Sequence, residues 1–438
     1  MKIKLSQHLL CGYAIIVSNL LATSLYASEP HEAKDHNIYE ESIYENNQIL
    51  TLKEATNLAI DFSPALKSSK AGVDAARGSE KQAGYWANPE LEIEAENIAG
   101  NGQYSGSNSA EYTYSLSQPI DISGQRSARK KAALHTRKAA NSTVDINKIS
   151  IIRDVHTAYA KTLSAAEMLK LAKEQKEISQ QVLRIVSKRV NASREPEIQN
   201  VKATVAYENS VIELDQRRQE LRFSQQYLSK LIGEEISNSS LDHSHFFEIK
   251  APDSFESYKK LLNKSPILKR SDYLINAKRS SFDLEIAKKF SSPKIKFGVR
   301  QFRGNDQQAF VAGLSIPLPI FGFNGGNISR AGAELSQARN DQLQTQISLE
   351  QNLIEEWKNW QISYSTATKL RDIILPEAQK SFELAQKGYK NGNFPYLEVL
   401  DAQRTLFETK SKYYLFLKQY HIAQANIELL TTPFNNNY

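Results

Sequence analysis

A chain of 438 residues has room for two or three domains. Its apolar content of 40% is low for a single compact fold, and 18 Gly and 13 Pro exclude both a disordered linker and a collagen-like rod. The net charge of +6 is dispersed along the chain, which argues against nucleic acid as a partner.

Residues 1–27 read as a secretory signal. Lys2 and Lys4 form the charged start, residues 9–25 the apolar stretch, and Leu25-Tyr26-Ala27 an imperfect cleavage site before Ser28. A membrane anchor is the competing reading, but the stretch is short and interrupted by polar residues. The single Cys, Cys11, lies inside the signal, so a mature chain has neither disulfide nor thiolate ligand. No later segment approaches the ~20 apolar residues of a membrane helix.

Residues 28–50 are polar and irregular, and are expected to form a flexible mature N-terminus. Thr51 then caps a helix, with Glu54 three residues on. Pro64 restarts a helix that runs to about Trp86. Period-two alternation follows. Leu91, Ile93 and Ala95 oppose Glu92, Glu94 and Glu96, and Tyr112, Tyr114 and Leu116 oppose Thr113, Ser115 and Ser117. The result is a β-hairpin at about 90–118 with a long polar loop. A turn at Ser123-Gly124 leads into a proline-free helical stretch from 125 to about 192. A polar tip, Asn191-Ala192-Ser193-Arg194-Glu195-Pro196, precedes a return helix to about 232.

The same plan then recurs. Ser63-Pro64-Ala65-Leu66 returns as Ser265-Pro266-Ile267-Leu268, Asn88-Pro89-Glu90 as Ser292-Pro293-Lys294, Gln118-Pro119-Ile120 as Ile316-Pro317-Leu318, and Glu195-Pro196 as Phe394-Pro395. The offsets are 202, 204, 198 and 199. A first repeat at 51–240, a linker at 241–255, a second repeat at 256–430 and a tail at 431–438 follow. The second hairpin is expected at about 294–318, a turn at Gly325-Gly326, and a helical stretch at 327–390 containing only Pro376. Leu353, Trp357, Trp360, Tyr364 and Ala367 carry a coiled-coil rhythm matched by Ile152, His156, Tyr159, Leu163 and Ala166. Repeats this long are too large for a solenoid and resemble the duplications of membrane transport proteins.

Four strands cannot close a membrane barrel, and an open edge in lipid leaves backbone groups unsatisfied. The strands must therefore be shared among copies of the chain. Leu91, Ile93, Tyr112, Phe297 and Leu314 are expected to face lipid. Glu92, Glu94 and Glu96 from the first copy, with Lys294, Lys296 and Arg300 from the second, are expected to face the lumen and neutralise one another; a selectivity filter is the alternative.

No catalytic constellation stands out, so an enzyme is not expected. His243-Ser244-His245 near Asp242, and His31, Glu32, Asp35 and His36, read as solvated loops rather than metal sites, and no cofactor is expected. His156 reads as a packed or water-facing seam residue.

At this point the residues match a family. The chain resembles the TolC-like outer-membrane efflux proteins from Thr51 to Leu430. The specific part is Trp86-Ala87-Asn88-Pro89-Glu90-Leu91-Glu92-Ile93-Glu94-Ala95-Glu96-Asn97, then Leu116-Ser117-Gln118-Pro119-Ile120 with Gly124. That pattern looks like the CzcC-type heavy-metal efflux branch. The resemblance implies an α+β membrane protein in the outer membrane of a Gram-negative bacterium. It implies a homotrimer whose 12-stranded β-barrel, four strands per chain, is continued by a 12-helix periplasmic α-barrel. It further implies two partners, a periplasmic adaptor protein and an inner-membrane, proton-driven pump of the resistance-nodulation-division (RND) class, with a duct that performs no chemistry. The cargo would be heavy-metal cations, or drugs, dyes or peptides in the alternative.

Leu397-Glu398-Val399-Leu400-Asp401-Ala402 looks like the family's acidic periplasmic gate, with Glu398 and Asp401 on one helix face, and Tyr389 matches a latch position. The family's tip arginine is Phe394 here, and Glu398 replaces an aspartate. The first copy carries Gln199 and Lys202 at the gate positions, so only the second tip is acidic. Asn191, Ser193 and Pro196, with Gly392, Asn393, Phe394 and Pro395, are the expected adaptor-contacting tips.

Overall fold

A computed structural model describes residues 49–236 and 241–432. The expected signal, the N-terminal segment up to residue 48 with its His31–His36 cluster, and the tail beyond 432 lie outside the described residues.

The chain is a set of long helices carrying one small sheet. Helix α1 (Leu52–Phe62) opens with a reciprocal cap: the Glu54 amide donates to Thr51 Oγ1, and the Thr51 amide to the Glu54 carboxylate. Helix α2 (Pro64–Ala83) starts on Ser63 with proline in its first turn. Strands β1 (Glu90–Glu96) and β2 (Glu111–Pro119) form the first hairpin. Helix α3 (Gln125–Asn191) runs 67 residues, ~100 Å at 1.5 Å per residue, and α4 (Glu197–Ile232) returns beside it. The second copy follows as α5 (Phe255–Leu262), α6 (Pro266–Ala287), β3 (Lys294–Phe302), β4 (Gln307–Ser315), α7 (Gly325–Lys369), α8 (Leu375–Lys390) and α9 (Tyr396–Thr431).

The sheet order is β1-β2-β3-β4, antiparallel throughout. β2 and β3 are neighbours although α3 to α6 separate them in sequence, so the two hairpins fuse into one sheet with β1 and β4 as open edges. The capping oxygens of Asp121 accept the amides of Gln125 and Arg126, fixing where α3 leaves the sheet.

Two sequence expectations are corrected and one is refined. β4 ends at Ser315, because Pro317 and Pro319 cannot continue a ladder. Gly325 and Gly326 lie inside α7; the left-handed turn before it is carried by Asn324, whose amide binds Glu285. The stretch 327–390 is helical throughout, as expected, but not uniformly α. Pro376 lacks an N–H and its ring crowds the carbonyl four residues earlier, and a π-turn at Leu370–Ile374 absorbs the mismatch. The matching region of the first copy is uninterrupted α3.

One buried cluster joins the copies at mid-height, through Val155, Tyr159 and Leu163 of α3, Leu228 of α4, Ala367 of α7, and Leu417 of α9. The linker belongs to it. Phe246 is 1% exposed, and His243 bonds Glu167, so this segment is a clamp across the helices rather than a solvated loop. Tyr159 Oη donates to the Leu50 carbonyl and accepts from the Asp242 amide, tying the segment just before α1 to the linker.

The two tips have one hydrogen-bond design at an offset of 199. The amides of Ala192, Ser193 and Arg194 bind the carbonyls of Lys188, Val190 and Arg189; those of Asn391, Gly392 and Asn393 bind Lys387, Tyr389 and Gly388. The middle position is left-handed in both, at φ 55° for Ser193 and 80° for Gly392. Serine pays steric strain there that glycine does not. Ser193→Gly is therefore expected to stabilise the chain by about 0.5–1 kcal/mol, read as a higher denaturation midpoint. A lowered midpoint would show that the serine is held there by something other than the backbone.

Candidate functional site

The two faces of the sheet differ in chemistry because successive side chains alternate. One face carries Leu91, Ile93, Tyr114, Phe297, Phe310 and Leu314, all large and exposed, with Phe310 at 95%. An apolar face left in the open at this size marks a lipid or protein contact. Tyr112 lies on the same face, half-buried.

The other face is an ion-pair ladder. Lys294 Nζ lies 2.6 Å from Glu90, and Lys296 Nζ lies 2.6 Å from Glu92 and 3.5 Å from Glu94. Arg300 lies 2.8 Å from Glu96 and 2.9 Å from Glu111. Four of the acids stand on β1 and the cations on β3, two strands apart; Glu111 stands on β2. Beyond Glu111, β2 offers Thr113, Ser115 and Ser117 on this face, small residues buried beneath the long side chains that cross over them. Arg300 Nε also donates to Thr113 Oγ1 at 2.9 Å. Glu90 and Glu111 join this set without having been singled out in the sequence; their place on the same alternation was the available signal. The pairs are solvated, so each adds little stability, and their larger effect is to cancel charge along one wall.

Gly298 makes the crossing possible. It faces Ser115, and a Cβ there would sit 2.5 Å from the Tyr114 carbonyl oxygen and 2.6 Å from Ser115 Cβ.

At the opposite end, Glu398 and Asp401 are exposed on the first turns of α9, on the face away from buried Val399, Ala402 and Leu406. Neither has an ion pair among the described residues. Arg404, one turn on, bonds Glu408 at 2.7 Å and interacts with the Asp401 charge without pairing with it.

Tyr389 is 2% exposed and packs inside the tip, its ring 6.0 Å from that of Tyr396 and 4.4 Å below the Arg189 guanidinium. Burial, then the nearby Glu195 carboxylate, pushes its hydroxyl up to about 12. Arg189 also pairs with Glu195 at 3.2 Å and donates to the Lys390 carbonyl. The first tip thus supplies the arginine that the second tip lacks. Sequence reasoning missed Arg189 and Glu195, because they meet Tyr389 across about two hundred residues of chain. Phe394 is half-exposed and lies over Gly388, where any side chain would collide with its ring. Asn191, Gly392, Asn393 and Pro395 are exposed at the tips, and Pro196 and Pro395 stand at the N-caps of α4 and α9.

A cavity of about 880 Å³ lies between α1, α3, the linker and α9. His156 faces Glu428 there at 3.7 Å, and burial pushes its imidazole down to about 4. No three potential ligands come together for a metal ion among the described residues.

Two unpartnered apolar stripes run along the helices. Ile198, Val201, Val205 and Ile212 are exposed on α4, and Leu343, Ile347, Ile354 and Ile362 on α7. Among the described residues no helix is long and apolar enough to cross a membrane.

Comparison with known proteins agrees with this architecture. The profile of the family described as "Outer membrane efflux protein" matches residues 55–234 and again 258–432, once per structural copy. The cobalt-zinc-cadmium resistance protein CzcC of Cupriavidus metallidurans is 29% identical over 86% of this chain and 89% of its own. The pyoverdine export outer membrane protein OpmQ of Pseudomonas putida is 22% identical over 70% of this chain and 67% of its own. The crystal structure of the outer membrane protein VceC from Vibrio cholerae superposes with a TM-score of 0.72 at 18% identity, covering 88% of this chain and 97% of that one. A sheet that must meet lipid on one side only, a helical body without a membrane span, and a profile that fits twice have a common explanation: the chain belongs to the outer membrane efflux protein family, a TolC-like α+β channel protein with its sheet in the outer membrane and its helices in the periplasm.

Proposed function

We propose that this protein is the passive exit duct of a tripartite, proton-driven export machine, carrying heavy-metal cations from a periplasmic adaptor and an inner-membrane RND-class pump to the exterior. The observation that carries the duct is the one-sided sheet with two open edges: it needs lipid outside, water inside and further copies of itself beside it. Three copies give 12 strands, and the exposed stripes on α4 and α7 supply the seams along which neighbouring copies pack. The repeats at 51–240 and 256–430, joined by the linker at 241–255, then furnish a 12-helix periplasmic tube. Glu92, Glu94, Glu96, Lys294, Lys296 and Arg300 line the barrel.

In this reading Glu398 and Asp401 ring the periplasmic mouth, and Tyr389, held under Arg189, braces the helix that bears them. The tips at Asn191, Ser193, Pro196 and at Gly392, Asn393, Phe394, Pro395 meet the adaptor. Metal cargo is supported by the extent of similarity to a protein named for cobalt, zinc and cadmium resistance. Similarity to a pyoverdine exporter supports a second reading, the same duct serving organic cargo such as drugs, dyes or peptides. Growth of a deletion strain and its complemented parent across Zn, Co, Cd, Ni, Cu and Ag salts, with a drug and dye panel, separates them. Sensitivity to one or two metals is expected. Sensitivity to dyes or drugs alone would remove the metal cargo and leave the duct.

A further inference from the structure

Charge is distributed unevenly just below the sheet. Residues 125–148 hold seven Lys or Arg and one acidic residue. Lower on the helices cations have acidic partners, as Lys278 has Glu334 and Lys410 has Glu174. Near the sheet Arg137 pairs with Glu80 and Lys288 with Glu285, but four lysines are left over. Lys81 in the last turn of α2, Lys130 and Lys131 in the first two turns of α3, and Lys289 just past α6 are all exposed, with no ion pair among the described residues. Each lies within 12 residues of a strand end along the chain.

Large apolar side chains stand beside them. Tyr85, Trp86, Phe290, Phe321 and Phe323 are exposed, Phe321 fully. Arg126 lies 4.5 Å over the Trp86 ring, so even this aromatic has a cation at its face. All five lie in the segments that join the strands to the helices. A water-filled tube wall gains nothing from a fully exposed phenylalanine. A membrane interface accepts aromatic rings at the acyl boundary and lysine ammoniums on the phosphates.

We propose that this collar is a binding surface for anionic glycerophospholipids of the periplasmic leaflet. Lys81, Lys130, Lys131 and Lys289 meet the headgroup phosphates, and Trp86, Phe290 and Phe321 seat the chain at the depth where they can reach them. The proposal rests on the outer-membrane placement of the sheet and is independent of cargo.

Trp86 reports on it directly. The full-length protein is reconstituted in phosphatidylethanolamine vesicles containing either brominated phosphatidylglycerol or brominated phosphatidylcholine, and tryptophan quenching is compared. Phosphatidylglycerol is expected to quench several-fold more strongly at low salt, with the preference falling as salt screens it. The triple variant Lys130→Gln/Lys131→Gln/Lys289→Gln is expected to lose the preference while phosphatidylcholine quenching stays unchanged, which shows that the variant is still inserted. Equal quenching by the two lipids in the unaltered protein would overturn the proposal. So would a lipid preference that survives the triple variant, or a variant that changes ion selectivity but not lipid preference, since the lysines would then line the tube. Absence of quenching by either lipid would instead contradict the membrane placement of the sheet.

Discussion

Gly298→Val is expected to leave no heat-resistant oligomer in outer-membrane fractions. The new Cβ would press on the Tyr114 carbonyl and the Ser115 side chain, and a backbone atom has no rotamer through which to escape. Overpacking costs about 1–3 kcal/mol in an ordinary core. Here the cost falls on the β2–β3 pairing, the ladder that joins the two hairpins within the chain. Each ladder bond broken within lipid adds several kcal/mol, because no water is present to replace it. The control is Gly313→Val in β4, where a Cβ would meet only Lys296 Cβ at 3.7 Å. That variant is expected to assemble normally. Electrophoresis of unheated and heated outer-membrane fractions reads both. Normal assembly of Gly298→Val would show that β2 and β3 do not pair as described.

The double variant Glu398→Gln/Asp401→Asn is expected to open the proposed gate to anions. In a trimer the two positions place six carboxylates near one axis, and a ring of like charges holds cations and excludes anions. Arg404 offsets Asp401 only in part, since its ion pair is with Glu408 on the next turn. The ratio of cation to anion permeability in planar bilayers is expected to fall several-fold towards unity, with higher conductance. Unchanged selectivity and conductance would move the constriction elsewhere. Removal of Arg404 in an otherwise unaltered chain is expected to act weakly and in the opposite sense.

Much of the architecture was legible before the fold because its signals are local. Alternation within β1 and β2, the Thr51–Glu54 cap and the proline-free run of α3 each rest on a few neighbouring residues. The duplication was legible because turns and prolines recur in register. Pairings over long separations were not. The repeat positions set the acids of β1 against the cations of β3 as groups, without saying that Lys296 reaches Glu92 over Ser117, and nothing around Arg189 announces Tyr389. Local signals also misled where one residue serves two purposes. Gly325-Gly326 reads as a turn, yet a helix tolerates glycine in its first turn when Asn324 has already made the bend. The His243 segment reads as solvated, yet Phe246 within it reaches the core.

The open edges of β1 and β4 also carry a genetic consequence. If each barrel draws its strands from three chains, a cell making equal amounts of normal and gate-altered protein builds mostly mixed barrels, and only about one in eight is wholly normal. A Glu398 or Asp401 allele that assembles should therefore be dominant over its parent. Gly298→Val, which is excluded from assembly, should be recessive. The ranking of alleles in merodiploid strains thus reads out which residues act before the sheet closes and which act after.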